Sequence, residues 1–141
     1  IISDDARSYV HSSEKQYDII IVDVYSDTSI PFSLLTREYA AELNAITAPE
    51  GVVIINAITA RAGSCLQILE TLDATYRPHA PYAILAQAQN TKKGQRANTI
   101  LTYTKNPFEL TGTQPLQSLN GRLYSDNVMP AERLQQMCNA I

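Results

Sequence analysis

The run Tyr17-Asp18-Ile19-Ile20-Ile21-Val22-Asp23 constrains this chain more than any other stretch. Alternating apolar and polar residues mark a strand with one wet face. A continuous β-branched run bounded by acids marks a strand buried on both faces, as inside a parallel sheet covered by helices. The run therefore implies an α/β fold and puts Asp23 at the carboxyl end of a sheet strand. Open α/β sheets bind ligands at that edge, so a carboxylate delivered there is the first candidate for chemistry.

A second run of the same kind, Val52-Val53-Ile54-Ile55-Asn56, ends in an amide. Between the two, Leu35, Tyr39, Leu43 and Ile46 recur at helical spacing, which predicts a helix starting near Ser33 or Thr36 and ended by Pro49-Glu50-Gly51. Strand, helix, strand is a βαβ unit with a right-handed crossover. Leu66, Leu69, Leu72 and Tyr76 predict another helix over 63–76, stopped at Arg77-Pro78. Segments 82–88 and 99–104 read as strands joined by the polar loop 90–97. A connection that short permits only antiparallel neighbours, so the sheet is expected to be mixed and to end in a hairpin. Upstream, Asp5 is placed to cap a short helix over 5–10, and downstream Pro130 opens a closing helix apolar at Leu134 and Met137.

With 141 residues, 45% of them hydrophobic, the chain is expected to form a single domain, 1–141, with a real core. A net charge of −3, with basic residues clustered only at Lys92-Lys93 and Arg96, argues against a nucleic-acid surface. No apolar run approaches the roughly 20 residues of a membrane span. Cys65 and Cys138 are accompanied only by His11 and His79, too few ligands for a structural zinc site. Both cysteines are expected as buried free thiols, which favours a cytoplasmic location. The chain lacks an initiator Met, and Ile1-Ile2-Ser3-Asp4-Asp5 reads as the tail of another buried strand, as in a fragment or processed piece.

Asp5-Ala6-Arg7, Tyr17 through Ser26, Ser29 through Tyr39, Pro49 through Asn56, Asn98 through Thr102 and Tyr124 through Leu134 together resemble the second half of the spermidine synthase-like family. Order and spacing carry the likeness, and it spans nearly the whole chain. The resemblance implies a partial Rossmann-like, methyltransferase-type three-layer sandwich. It also implies an aminopropyl transferase using decarboxylated S-adenosylmethionine, or alternatively a methyltransferase using S-adenosylmethionine, with no metal. A catalytically silent Rossmann-like interaction module is the reading from another class.

By that resemblance Asp5, with Ala6 beside it, meets the adenine amine of the cofactor, a task suited to an acceptor-only carboxylate. Asp23 faces the attacking amine of a polyamine-type substrate and takes up its proton. Tyr25 and Ser26 lie beside it as candidate substrate contacts. The family's second acid, three residues after the first, is Ser26 here, and the nearest acid is Asp27. The Gly-rich loop and the ribose-binding acid of the cofactor half would precede Ile1, so association with that half, or with a second copy, is expected.

Each residue also has a plain structural role available. Asp5 is a helix cap in any case, Asp23 a turn carboxylate, and Tyr9, Tyr39 and Tyr76 core residues. His11 and His79 are expected in solvent, and Lys92, Lys93 and Arg96 on the solubilising face of a loop.

Overall fold

The computed structural model describes residues 1–24, 30–63, 65–87, 95–109, 111 and 113–128. Asp5 caps α1 (Ala6–Ser12), its side chain accepting from the Ser8 N–H at 3.0 Å. The strand β1 (Tyr17–Val22) follows, then a 3₁₀ turn at Phe32–Leu34 and α2 (Arg37–Ala45), capped by the Thr36 hydroxyl. Next come β2 (Thr47–Thr59) and α3 (Leu66–Tyr76). The chain then forms β3 (Tyr82–Gln87), β4 (Ala97–Thr104) and the two-residue β5 (Gln114–Pro115). The closing helix expected from Pro130 lies outside the described residues.

The sheet runs β1-β2-β4-β3-β5. β1 and β2 are parallel, with Val22 opposite Ile55, while β2–β4 and β3–β4 are antiparallel. The mixed α/β sheet and its antiparallel hairpin are as expected. Leu35, Tyr39, Leu43 and Ile46 are all buried, and they share one apolar cluster with Val10 of α1, Leu69, Leu72 and Tyr76 of α3, and Val53 and Ile55 of β2. The three described helices thus cover one face of the sheet. A third layer has no counterpart among the described residues.

Three expectations change. β1 is not buried on both faces: Val22 points into the core, but Ile19 is 62% and Ile21 67% exposed. The cause is position, since β1 is the sheet's edge and its second face carries no described helix. Ile1 and Ile2 form exposed coil and not a strand, with no strand beside them among the described residues. Pro49-Glu50-Gly51 does not simply end α2; it lies inside β2 as an irregularity where Tyr17 faces Thr47 and Ile19 faces Val52. Gly51 is required there, because a Cβ would come within 2.9 Å of the Tyr17 carbonyl oxygen.

Cys65 also differs: it is buried and disulfide-bonded, not a free thiol. Separation along the sequence says nothing about separation in space. The free-thiol support for a reducing compartment falls away with it. Cys138 lies outside the described residues.

Asp73 organises the far side of the helical layer. It is fully buried on α3, receives the Arg77 guanidinium at 2.7 Å and accepts from the Leu119 N–H at 2.8 Å. Arg77 reaches on to the Leu116 carbonyl at 2.9 Å, so a single ion pair pins segment 116–119 against α3. Gly121 continues that contact: its backbone lies so close to α3 that a Cβ would stand 1.8 Å from the Glu70 carbonyl oxygen.

Candidate functional site

The direction of the parallel strands fixes where the candidate residues gather. β1 and β2 run the same way, and Val22 pairs with Ile55, so the next residue on each, Asp23 and Asn56, emerges at the same carboxyl edge. The Asn56 amide nitrogen donates to Asp23 Oδ1 at 2.9 Å. Its carbonyl oxygen is buried and has no hydrogen-bond partner among the described residues. Asp23 itself is exposed. A carboxylate held from one side by an amide, beside a buried acceptor with spare capacity, is a surface that receives hydrogen-bond donors, and an ammonium or amine is the donor that uses both.

α2 ends one residue before β2 begins, so its C-terminus lies at the amino edge and its N-terminus points back toward the carboxyl edge. α1 packs on α2 and is tied to that N-terminus by Arg7, whose Nη1 donates to the Ser33 carbonyl at 2.8 Å and to Thr36 Oγ1 at 3.2 Å. Asp5 therefore stands near the same edge as Asp23. The N–H of Ser8 holds the exposed Asp5 carboxyl below its ordinary pKa of 3.8. Capping uses part of its acceptor capacity, since a carboxylate has about four lone-pair sites. Ala6 opens the helix and is half-buried. Tyr25 and Ser26 lie outside the described residues, as does Asp27.

Between α1 and β1 lies a cavity of about 280 Å³, lined among others by Ala6, Tyr9, Val10, Val22 and Val24. It is largely apolar and near the lower bound of small-molecule sites, roughly 300 Å³. A tyrosine pair supplies its polar feature, the Tyr9 and Tyr17 hydroxyls lying 2.5 Å apart. Sharing that hydrogen bond raises the pKa of Tyr9 and lowers that of Tyr17.

Sequence reasoning placed Asp5 and Asp23 where the structure has them, and it noted the amide ending β2. It missed that this amide is bonded to Asp23; the one available signal was that Asp23 and Asn56 both terminate buried runs. The Tyr9–Tyr17 pair gave no signal beyond helical spacing. His11 is 75% exposed, as expected, and its Nδ1 also lies 2.9 Å from Glu42 Oε1, a contact with no sign in the sequence. Among the described residues no group of His, Cys, Asp and Glu is arranged to hold a metal ion, and no helix is long and apolar enough to cross a membrane.

No protein-family profile matches the chain. Over 52 residues it is 35% identical to a probable polyamine aminopropyl transferase of Bifidobacterium longum, a stretch covering 37% of this chain and 12% of that protein. Over 60 residues it is 38% identical to an N-terminal histidine N-methyltransferase of Emericella nidulans, covering 39% of this chain and 11% of that one. In fold, 97% of the chain superposes on a probable spermidine synthase from Corynebacterium glutamicum, with a TM-score of 0.66 and 18% identity. The same share superposes on human methyltransferase-like protein 13 in complex with SAH, with a TM-score of 0.57 and 18% identity. The chain spans about half the length of these two structures, 50% and 55%, and its matches span little more than a tenth of the two curated relatives. Its mixed sheet with packed helices is the methyltransferase-type Rossmann architecture, similar in fold to the spermidine synthase over nearly the whole length and in sequence to the polyamine aminopropyl transferase over about a third of it.

Proposed function

We propose that this chain serves an S-adenosyl-type transferase, and that the reaction is aminopropyl transfer from decarboxylated S-adenosylmethionine to a polyamine-type amine. The observation that carries the reading is the Asp23–Asn56 pair, a carboxylate at 2.9 Å from an amide whose buried oxygen lacks a partner among the described residues. The residues present fit the donor: Asp5 offers acceptor capacity for an adenine amine, and the apolar cavity opens beside Ala6. When bound, the donor supplies a sulfonium-activated carbon that an amine attacks, forming a C–N bond as the C–S bond breaks.

The chain's own part is positional and basic. Asp23 accepts a hydrogen bond from the attacking amine, and the Asn56 carbonyl takes a second, so the nitrogen lone pair is turned away from both acceptors and toward the carbon. The proton lost from nitrogen passes to Asp23 and from that exposed carboxylate to water. Tyr25 and Ser26, next along the chain from Asp23, are assigned to the substrate. Half of the donor site is assigned to polypeptide matching the remainder of the longer relatives, so the 141 residues alone bind the donor weakly.

Methyl transfer is the second reading, favoured by the 38% identity to the histidine N-methyltransferase. An amine held by Asp23 and Asn56 serves either transfer. The reading also carries association of the chain through β1 with a second copy or with the other half. Assay of the whole protein with decarboxylated S-adenosylmethionine and with S-adenosylmethionine, against a diamine, decides the reaction. Methylthioadenosine as product supports aminopropyl transfer, S-adenosylhomocysteine the alternative. Neither product with either donor returns the chain to a silent interaction module.

A further inference from the structure

The stretch Tyr124–Val128 lies across the N-terminal end of α2 and is fastened there almost wholly by polar contacts. Thr36 and Tyr124 form an isolated bridge, and the Arg37 N–H donates to the Tyr124 carbonyl at 3.0 Å. The Asp126 N–H donates to Glu38 Oε2 at 3.1 Å. The strongest tie comes from α1: Arg7 forks onto Asp126, Nη1 to Oδ1 at 2.7 Å and Nη2 to Oδ2 at 2.5 Å. Apolar anchorage is slight, since Tyr124 is buried but Leu123 is 47% and Val128 67% exposed.

The two ends of the Arg7 contact are unequal. Toward α2 the guanidinium holds the Ser33 carbonyl and Thr36 Oγ1, and it lies 5.9 Å from the Tyr39 ring centroid. These are contacts within the helical layer, shielded by packing. Toward the strap it holds one carboxylate, 39% exposed, whose attraction is open to screening by salt. Breaking the bidentate pair removes the strap's main fastening and leaves Arg7 tethered to α2.

We propose that Tyr124–Val128 is a latch, closed across the N-terminal end of α2 by the Arg7–Asp126 pair and opening by rupture of that pair while α1 stays docked on α2. The latch sits on the N-terminal end of α2, the end that points toward the carboxyl edge of the sheet, and its opening frees that helix end whatever reaction the site performs.

Hydrogen–deuterium exchange on the 141-residue chain tests this without reference to activity. Asp126→Asn should raise exchange of the Arg37, Asp126 and Val128 amides by roughly tenfold while leaving α1 and β2 as they are. In the wild type, raising salt to about 0.5 M should shift the same amides in the same direction, with no substitution involved. Arg7→Lys, which loses the fork and the α2 contacts together, should loosen both the strap and α1. Strap amides that respond neither to Asp126→Asn nor to salt would overturn the proposal. So would loosening of α1 and the strap together in Asp126→Asn, because the two would then be one rigid unit.

Discussion

Asn56 donates its amide to Asp23 across the ends of two parallel strands at 2.9 Å, and its own carbonyl oxygen stays buried without a partner among the described residues. Burying an unsatisfied acceptor costs on the order of 1–3 kcal/mol. A position that bears such a cost next to an exposed carboxylate is suited to a ligand that brings the missing donor.

That relationship separates binding from chemistry. In the whole protein, Asp23→Asn should lower turnover by about 10²–10⁴, the usual range for losing a general base, with little change in affinity for the adenosyl donor. Asn56→Leu should chiefly raise the KM for the amine and spare the donor; because it also removes the amide that donates to Asp23, turnover should fall too, but by less than in Asp23→Asn. Steady-state kinetics with donor and amine varied separately decides both, and unchanged turnover in Asp23→Asn returns Asp23 to a turn carboxylate.

Asp5 yields a test of its own. Asp5→Asn keeps a capping side chain, so α1 should persist in the chain, while in the whole protein affinity for the adenosyl donor should drop. Asp5→Ala should loosen α1 as well. Titration calorimetry with methylthioadenosine should show little heat even for the wild type, and micromolar binding would mean the 141 residues hold more of the donor site than proposed.

Acid should act on the same helix. The Asp5 carboxyl is depressed by the Ser8 N–H, and that of Asp126 by the Arg7 guanidinium, both below the ordinary 3.8. A group whose folded pKa is depressed adds stability above its unfolded pKa and loses it as pH falls through the folded one. Both contributions are therefore intact at neutral pH, begin to fall as pH approaches the ordinary 3.8 and vanish as it drops through the lower folded values. Exchange measured from pH 7 downward should show α1 and the 124–128 strap loosening only in that acid window.

Much of this architecture was legible in the sequence, because helical spacing and caps are local. Thr36 caps α2 and Asp5 caps α1 where the spacing put them, and the short connection between β3 and β4 dictated their antiparallel pairing. What was not legible depends on remote neighbours. An Ile-Ile-Ile run reads the same in a central strand and at an edge, so the exposure of Ile19 and Ile21 could not be read from it. Arg7 and Asp126 are 119 positions apart, and only the fold makes them partners. The Asp73–Arg77 pair looks like an ordinary surface i,i+4 pair on a helix until segment 116–119 is laid over it.

That buried pair carries a stability prediction. Asp73→Ala leaves the Arg77 guanidinium without its carboxylate and the Leu119 N–H without an acceptor. Loss of one partner of a buried ion pair costs about 3–5 kcal/mol. Urea denaturation should show a fall of that order, whereas Arg37→Ala, removing an exposed pair with Glu38, should leave the midpoint nearly unchanged.

The last prediction concerns β1. It pairs with β2 on one side and has no described strand on the other, so its outer backbone donors and acceptors face outward. Ile19 and Ile21 add apolar side chains to that edge, and the neighbouring cavity runs along Ile19, Ile20 and Ile21. Soluble proteins blunt such edges with charge, proline or a cover, yet Asp18 is the only charge on β1 and Ile1-Ile2 does not fold back over it. The isolated chain should therefore associate, by edge pairing or with polypeptide that covers β1. Size-exclusion chromatography with light scattering over a dilution series should show mass rising with concentration. Ile19→Lys with Ile21→Lys should shift it toward monomer, because the pair puts charge on the exposed face without altering the core-facing Ile20 and Val22. A wild-type chain that stays monomeric at high concentration and binds no hydrophobic dye would show that the edge is closed in a way the described residues do not account for.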